Sequence, residues 1–224
     1  MNASVEETVT TPVAHQKASP DAMQCSVSAV AEAPAGSAQC ETQDSLANWP
    51  DFSSLPPWLQ QELRSDHAGE YGAVMIYRGI LAISKDARIR EFAEHHLVTE
   101  QKHLCLMEQI MAPAHRTRLL PVWRVMGWLT GALPALFGRE AVFATIEAVE
   151  TFVDSHYQQQ IDRLDPDEAH GELRDTLLAC QADEIQHREE AAALRVSRRD
   201  AILQIWCAIV CSGSAAAVIA AKRI

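Results

Sequence analysis

Two short motifs with the same spacing constrain this chain more than any other feature of its sequence. Glu100 and His103 stand three residues apart, and Glu184 and His187 repeat that spacing later in the chain. Positions three apart lie on one face of an α-helix, so each pair presents a carboxylate and an imidazole to the same place. Apolar residues recur at helical spacing around both pairs, which predicts that the pairs lie in amphipathic helices.

Each pair is preceded by a further glutamate on what the pattern predicts to be the previous helix. Glu70 comes before Glu100, and Glu150 comes before Glu184, in both cases by about one helix and a turn. Glu147 lies one turn from Glu150, and spacing alone does not choose between the two. Two Glu-x-x-His pairs and two lone glutamates form the ligand set of a carboxylate-bridged di-iron or di-manganese centre in a four-helix bundle.

Electrostatics favours a metal centre over four unpaired carboxylates. Ionised carboxylates in a bundle core would each cost several kcal/mol without compensation, and two divalent cations would neutralise them. The alternative is a solvated helix face of ordinary glutamates and histidines, because chance alone supplies about one Glu-x-x-His in such a chain. The duplicated order inside apolar, helix-periodic sequence favours the metal centre.

The composition excludes several classes of protein. With 224 residues, of which 48 % are hydrophobic, the chain can bury one substantial core. Its formal net charge of −11 argues against a nucleic-acid partner, since phosphate binding requires a basic surface. The six cysteines include no Cys-x-x-Cys pair and favour a reducing compartment. The N-terminus resembles neither a secretory signal nor a mitochondrial presequence, so we expect a bacterial cytosolic chain.

The chain divides into three predicted segments. Residues 1–50 are rich in small and polar residues without a period, and we expect them to be disordered. Residues 51–200 contain four predicted helices, which together predict an all-α four-helix bundle. These helices cover about 57–84, 87–112, 139–163 and 168–198, with a turn at 165–167 before the last. Residues 201–224 form a predicted C-terminal apolar helix.

Two apolar segments indicate a membrane-facing surface. Residues 119–138 connect the second and third predicted helices, where a short polar loop would be expected. Two prolines and Arg124 argue against a straight membrane span, so we expect a membrane-facing crossover in the bilayer interface. A crossover packed over the end of the bundle is the alternative. Residues 201–221 are just long enough to span a bilayer, but we expect them to pack against 119–138 in a shared membrane-facing patch.

Other polar residues fall near the predicted ligands. Asp66 lies one turn before Glu70, and we expect it beside the ligands or in solvent instead of on a metal. His156 and Tyr157 could support the ligands or lie on the helix surface. Asp183 could orient a histidine ligand from the other half, because ligating imidazoles usually donate their second N–H to a carboxylate.

His95 and His96 are expected to lie on a bundle face without a metal. Cys180, one turn before Glu184, is expected to be a small core residue.

A carboxylate-bridged iron pair can couple O2 to the oxidation of a substrate, and the apolar segments suggest a substrate that arrives from lipid. The residues therefore predict an O2-dependent hydroxylase acting on a lipid-soluble molecule. A ferritin-like iron-storage bundle, a tRNA-modifying di-iron hydroxylase and a metal-free membrane adaptor are the alternatives. The first would need a soluble exterior and the second a basic face, and neither is evident.

Longer motifs surround the predicted ligands. They are Asp66-His67-Ala68-Gly69-Glu70-Tyr71-Gly72-Ala73 with Ile76-Tyr77, Glu100-Gln101-Lys102-His103, Ala148-Val149-Glu150 with His156-Tyr157, and Asp183-Glu184 with His187. Together these motifs resemble the demethoxyubiquinone hydroxylases of ubiquinone biosynthesis, and the resemblance spans about residues 55–222. Arg188 stands where members frequently have a second histidine, and Arg78-Gly79-Ile80 stands where they usually have a Gly-Gln pair. These departures leave in question the surroundings of the ligands or the choice of substrate, but not the metal.

The resemblance implies a ferritin-like bundle that hydroxylates the ring of a polyprenylated demethoxy-quinol with O2. It implies two iron ions held by Glu70, Glu100, His103, Glu150, Glu184 and His187. Glu100 and Glu184 would bridge the ions, and Glu150 is selected over Glu147. It also implies electrons from NADH, a peripheral position on the cytoplasmic face of the bacterial inner membrane, and other ubiquinone-biosynthesis proteins as partners.

Overall fold

Six α-helices make up most of the described part of the chain, which covers residues 51–164, 170–197 and 200–224 of a computed structural model. In chain order they are α1 (Pro57–Ile83), α2 (Ala87–Ile110), α3 (Leu120–Ala135), α4 (Arg139–Ile161), α5 (Gly171–Leu194) and α6 (Ala201–Arg223). Short 3₁₀ turns lie at Phe52–Ser54 and Pro113–His115. The predicted all-α fold class is confirmed.

Local signals set the helix starts where the sequence predicts them. Pro57 occupies the first position of α1, where an amide N–H would have no intrahelical acceptor. The Asp86 side chain caps α2 by accepting hydrogen bonds from the backbone N–H groups of Arg88 and Ile89 at 3.0 and 3.2 Å. The segment 1–50 and the turn at 165–167 lie outside the described residues.

Helices α1, α2, α4 and α5 form a bundle with two apolar clusters along its length. The first cluster includes Leu59, Leu63, Met107, Met111, Tyr157, Ile161, Leu173 and Leu177. The second includes Ile76, Tyr77, Ile80, Phe92, Phe143, Ile146, Val149 and Ala191. Fully burying one such large side chain stabilises the fold by about 1.5–3 kcal/mol. Glu70 lies between the α1 residues of the two clusters, so the bundle holds its polar site between two apolar layers.

Helix α3 packs along the side of α1 through glycines. A Cβ on Gly131 would lie 1.9 Å from the carbonyl oxygen of Ile76, and one on Gly79 would lie 2.2 Å from that of Trp128. Only glycine permits so close a backbone approach. The crossover is therefore a helix beside the C-terminal half of α1, and the alternative of a segment over the bundle end is wrong.

Helix α6 packs along α4 and α1. The indole N–H of Trp206 donates to Thr145 Oγ1 at 2.8 Å, and Lys222 Nζ lies 2.5 Å from Glu62 Oε2. The expected packing of 201–221 against 119–138 is wrong, because the extensive contacts of α6 are with α4 and α1, where its polar groups find partners. Within the described residues, α6 is the one helix whose length and composition would allow it to cross a membrane.

Candidate metal centre

Four helices deliver the six predicted ligands to one buried place. Helix α1 carries Glu70, α2 carries Glu100 and His103, α4 carries Glu150, and α5 carries Glu184 and His187. Each of these residues is at most 5 % exposed to solvent. Charged residues are rarely buried so completely unless they are paired or bind a metal.

The six side chains form two overlapping groups. In one group, Glu70, Glu100, His103 and Glu184 each offer a ligand atom within 4.8 Å of the others. Glu100, Glu150, Glu184 and His187 form the second group by the same measure. Glu100 and Glu184 belong to both groups, which is the arrangement expected of two carboxylates that bridge two ions.

Both imidazoles turn Nδ1 toward carboxylates. His103 Nδ1 lies 3.0 Å from Glu184 Oε1 and 3.7 Å from Glu70 Oε2. His187 Nδ1 lies 3.1 Å from Glu100 Oε1 and 3.2 Å from Glu184 Oε2. A metal ion binds the unprotonated form of an imidazole, so an ion at either place would replace a proton that these pairs share without metal.

The carboxylates of the cluster have strongly perturbed pKa values. Burial raises the pKa of Glu100 and Glu150 well above the usual range, and the charge of Glu184 raises both further. Burial also opposes ionisation of Glu184, but its close contacts with the His103 and His187 imidazoles outweigh burial and lower its pKa to about 2. Bringing so many acids together without a cation is therefore costly.

The donor set fits a pair of metal ions. Several carboxylate oxygens are fully buried and accept no well-formed hydrogen bond among the described residues: Glu70 Oε2, both oxygens of Glu100, and Glu184 Oε2. Unpaired buried oxygens are costly, and a cation would satisfy them. Four carboxylates with two imidazoles form a mixed oxygen and nitrogen set that suits iron or manganese.

Two tyrosines hold carboxylates of the site. The hydroxyl of Tyr157 donates to Glu70 Oε1 at 2.5 Å, and that of Tyr77 donates to Glu150 Oε1 at 3.4 Å. Burial raises the pKa of both tyrosines well above the usual range, and the neighbouring glutamates add to the rise. Both hydroxyls therefore stay protonated and remain donors.

The other residues predicted near the ligands occupy different places. Asp183 Oδ2 lies 3.0 Å from Nε2 of His103, as expected of a carboxylate that orients a ligand from the other half. His156 Nε2 lies 3.0 Å from Asp66 Oδ1, and neither residue belongs to the two ligand groups. Glu147 lies outside the cluster as well, because Arg195 Nη1 binds its carboxylate at 2.7 Å.

Sequence reasoning gave no role at the site to Tyr77 and His96. The ring centroid of His96 lies 4.1 Å from that of His187, so it touches a predicted ligand although we expected it only on a bundle face. His96 stands one turn before Glu100 on the same helix, and this spacing predicts that its side chain lies near the ligands. Tyr77 on α1 contacts Glu150 on α4, and no local sequence pattern connects these two helices.

Comparison with known proteins agrees with this geometry. The model of the family described as "Ubiquinone biosynthesis protein COQ7" matches residues 57–221. A relative from Rhodospirillum rubrum, named 3-demethoxyubiquinol 3-hydroxylase, is 36 % identical over 151 residues, which are 66 % of this chain and 68 % of that protein.

Two mitochondrial relatives bear the name NADPH-dependent 3-demethoxyubiquinone 3-hydroxylase. The one from Dictyostelium discoideum is 35 % identical over 58 % of this chain, and the one from Homo sapiens is 34 % identical over 57 %. The chain spans 61 and 60 % of the length of these two relatives, which is less than two thirds of either. The family match covers all six predicted ligands, and the chain belongs to the family of the ubiquinone biosynthesis protein COQ7.

Proposed function

We propose that Glu70, Glu100, His103, Glu150, Glu184 and His187 hold two iron ions, with Glu100 and Glu184 as bridges. The observation that carries this proposal is the overlap of the two buried ligand groups in those two glutamates. Two divalent ions would match the four carboxylates in charge and leave both imidazoles neutral. No residue beyond these ligands is proposed to act directly on the substrate.

The proposed activity is hydroxylation of the ring of a polyprenylated demethoxy-quinol with O2, a step of ubiquinone biosynthesis. A bound iron pair would supply the reductive activation of O2. One oxygen atom enters the ring and the other leaves as water, with two electrons and two protons from a reductant. The names of the relatives support this substrate and this position of attack.

The residues of the chain hold the ligands and exclude water. Tyr157 donates a hydrogen bond to Glu70 and Tyr77 donates one to Glu150, and these bonds would hold each carboxylate in one orientation toward a bound ion. The apolar layers around Leu63 and Ile80 keep solvent from the centre. A dry, preorganised site strengthens the electrostatic contacts inside it.

A nicotinamide dinucleotide is proposed as the source of electrons. The resemblance implied NADH, whereas the names of the mitochondrial relatives specify NADPH, and those names favour NADPH. The quinol substrate could itself pass electrons to the site. Comparing iron reduction by each dinucleotide, with and without a short-chain quinone, would separate these routes.

We also propose that the protein binds the cytoplasmic face of the bacterial inner membrane as a peripheral protein. Exposed apolar side chains on and just after α3 and along α6 support this position: Val122, Val125, Met126, Leu136, Phe137, Ile202, Ile205, Ile209 and Ile219. Helix α6 is tied to the bundle at Trp206 and Lys222, which favours lying along the bilayer over crossing it.

Iron analysis of the purified protein, combined with assay of a demethoxy-quinol, tests the proposal. We expect two iron ions per chain and O2-dependent ring hydroxylation. Glu184→Ala should lose both while circular dichroism shows unchanged helicity. Glu147→Ala is the matched control and should retain both, because Glu147 pairs with Arg195 outside the cluster. Full iron content or activity in Glu184→Ala would contradict the proposal.

A further inference from the structure

The two halves of the ligand cluster support their histidines differently. In one half, Asp183 Oδ2 lies 3.0 Å from Nε2 of His103 and so fixes the imidazole through a hydrogen bond. Asp183 directly precedes Glu184, and the matching position before Glu100 is occupied by Thr99, which has no carboxylate. The repeat of the motif is therefore broken at the residue that would orient the second histidine.

The ring of His96 lies beside that second histidine. Its centroid is 4.1 Å from the ring of His187 at an interplanar angle of 64°, an edge-to-face contact between two buried imidazoles. Phe92 holds the His96 ring from another direction, with a centroid distance of 4.3 Å. His96 is 1 % exposed, so its orientation is fixed by these neighbours and not by solvent.

Glu190 anchors His96 from the surface. Glu190 Oε2 lies 3.0 Å from His96 Nε2, and Glu190 Oε1 accepts a hydrogen bond from Gln186 at 2.8 Å. Glu190 stands one turn after His187 on α5, whereas His96 stands one turn before Glu100 on α2. The pair thus joins the two helices that carry both Glu-x-x-His motifs, next to one of the imidazoles.

We propose that His96, anchored by Glu190, is a positioning residue for His187, and this inference rests on the proposed metal binding of His187. It supports His187 by ring packing where Asp183 supports His103 by a hydrogen bond. Metal binding by the ligand group that contains His187 consequently depends on His96. Metal binding by the group that contains His103 does not. The two metal positions are therefore inequivalent.

Stepwise metal binding tests this inequivalence without reference to turnover. The full-length protein, freed of metal by chelation, is titrated anaerobically with Co²⁺, whose visible absorption reports the number and geometry of its ligands. Removing a group that orients a metal ligand typically weakens binding by about 10–100-fold. We expect His96→Ala to weaken the binding of one of the two Co²⁺ ions about tenfold and to alter the absorption of that ion alone. The affinity and absorption of the other ion should be unchanged.

Three further variants make the test specific. His96→Phe keeps an aromatic ring beside His187 and should restore binding to within about threefold of the wild type. Glu190→Gln should show the same selective loss in weaker form, and it applies if His96→Ala does not fold, since Glu190 is partly exposed. Glu91→Ala is the control, because Glu91 is exposed on the same helix, and this variant should bind both ions normally.

The outcomes separate this inference from the proposed function. Unchanged binding of both ions in His96→Ala and Glu190→Gln, or equal weakening of both ions with a lower melting temperature of the metal-free protein, would overturn the role of His96. Failure of the wild type to bind two ions would instead overturn the proposed di-iron site, and the inference with it. Selective loss with rescue by phenylalanine would establish the role.

Discussion

Asp183 on α5 lies 3.0 Å from Nε2 of His103 on α2, while the other ring nitrogen of that histidine faces the ligand cluster. A carboxylate at this place fixes which nitrogen carries the proton and how the ring is oriented. Asp183 is half-exposed, so the contact reaches from the protein surface to the buried centre. One half of the site thus positions the histidine of the other half.

Removing this carboxylate should weaken metal binding without unfolding the protein. Asp183→Asn is expected to lower the affinity for the ion bound by His103 about 10–100-fold, because the imidazole loses its ionic partner. Anaerobic Co²⁺ titration measures the change. Asp175→Asn alters an exposed carboxylate on the same helix and should bind normally. Equal affinities in the two variants would show that Asp183 does not orient His103.

The buried His67 should make the protein sensitive to acid. Burial lowers its pKa to about 4. The unfolded chain, with a histidine pKa near 6.5, therefore binds more protons between about pH 4 and 6.5, and stability is lost as the pH falls through this range. We expect the free energy of unfolding to be about 2 kcal/mol lower at pH 5 than at pH 7 from this residue alone.

Urea unfolding of His67→Gln at both pH values measures this contribution. The variant should lose part of the acid sensitivity and keep the rest, because burial also lowers the pKa of His96 to about 4. Glu91→Gln, at an exposed position on α2, should show the full sensitivity of the wild type. An identical pH dependence in His67→Gln and the wild type would be inconsistent with a neutral buried His67.

Two glycine-to-alanine substitutions should change stability in opposite directions. At Gly131 a Cβ would meet the Ile76 carbonyl oxygen at 1.9 Å, so alanine must push α3 away from α1 and cost about 1–3 kcal/mol. At Gly213 in α6 nothing lies within 4 Å, and alanine should stabilise the helix by about 0.5–1 kcal/mol. Thermal unfolding of both variants would show whether α3 is docked as described.

Charges on the exposed apolar faces should reduce membrane binding. Val125 on α3 is 56 % exposed and Ile205 on α6 is 62 % exposed. The double variant Val125→Glu/Ile205→Glu should bind membranes at least tenfold more weakly. Each substitution removes apolar contact with lipid and adds repulsion from anionic head groups. Flotation with vesicles of phosphatidylethanolamine and phosphatidylglycerol measures this loss.

Val98→Glu provides the matched control for membrane binding. Val98 is 52 % exposed, but it lies on α2 and belongs to neither apolar face. This variant should float with vesicles as the wild type does. Flotation of the double variant at the wild-type level, or an equal loss in Val98→Glu, would show that α3 and α6 do not form the membrane-binding surface.

The sequence was sufficient to predict the four helices that carry the site, because a glutamate or histidine on the buried face of an amphipathic helix has a recognisable period. Residue spacing could not separate Glu147 from Glu150, which are one turn apart. Arg195, at the end of α5, distinguishes the two glutamates by binding Glu147. Such a pairing is set by tertiary packing and leaves no local pattern.

The placement of α3 and α6 was equally hidden from the sequence. Hydropathy marks both as apolar but does not say which helix each one covers. Gly79 and Gly131 determine that α3 packs on α1, because two backbones can approach so closely only where the contacting residues have no Cβ. The packing of α6 on α4 depends on Trp206, whose indole N–H donates to the hydroxyl of Thr145 on α4.

The glycine contact between α3 and α1 also sets the distance between the exposed face of α3 and the ligand cluster. Glu70 and Gly72 are two positions apart on α1, so they point to different sides of the same helix, one to the ligand cluster and the other to Trp123 of α3. One helix, about 10 Å thick, therefore separates the exposed apolar side chains of α3 from the buried carboxylates. A molecule held in lipid beside α3 would have to pass around α1 to reach them.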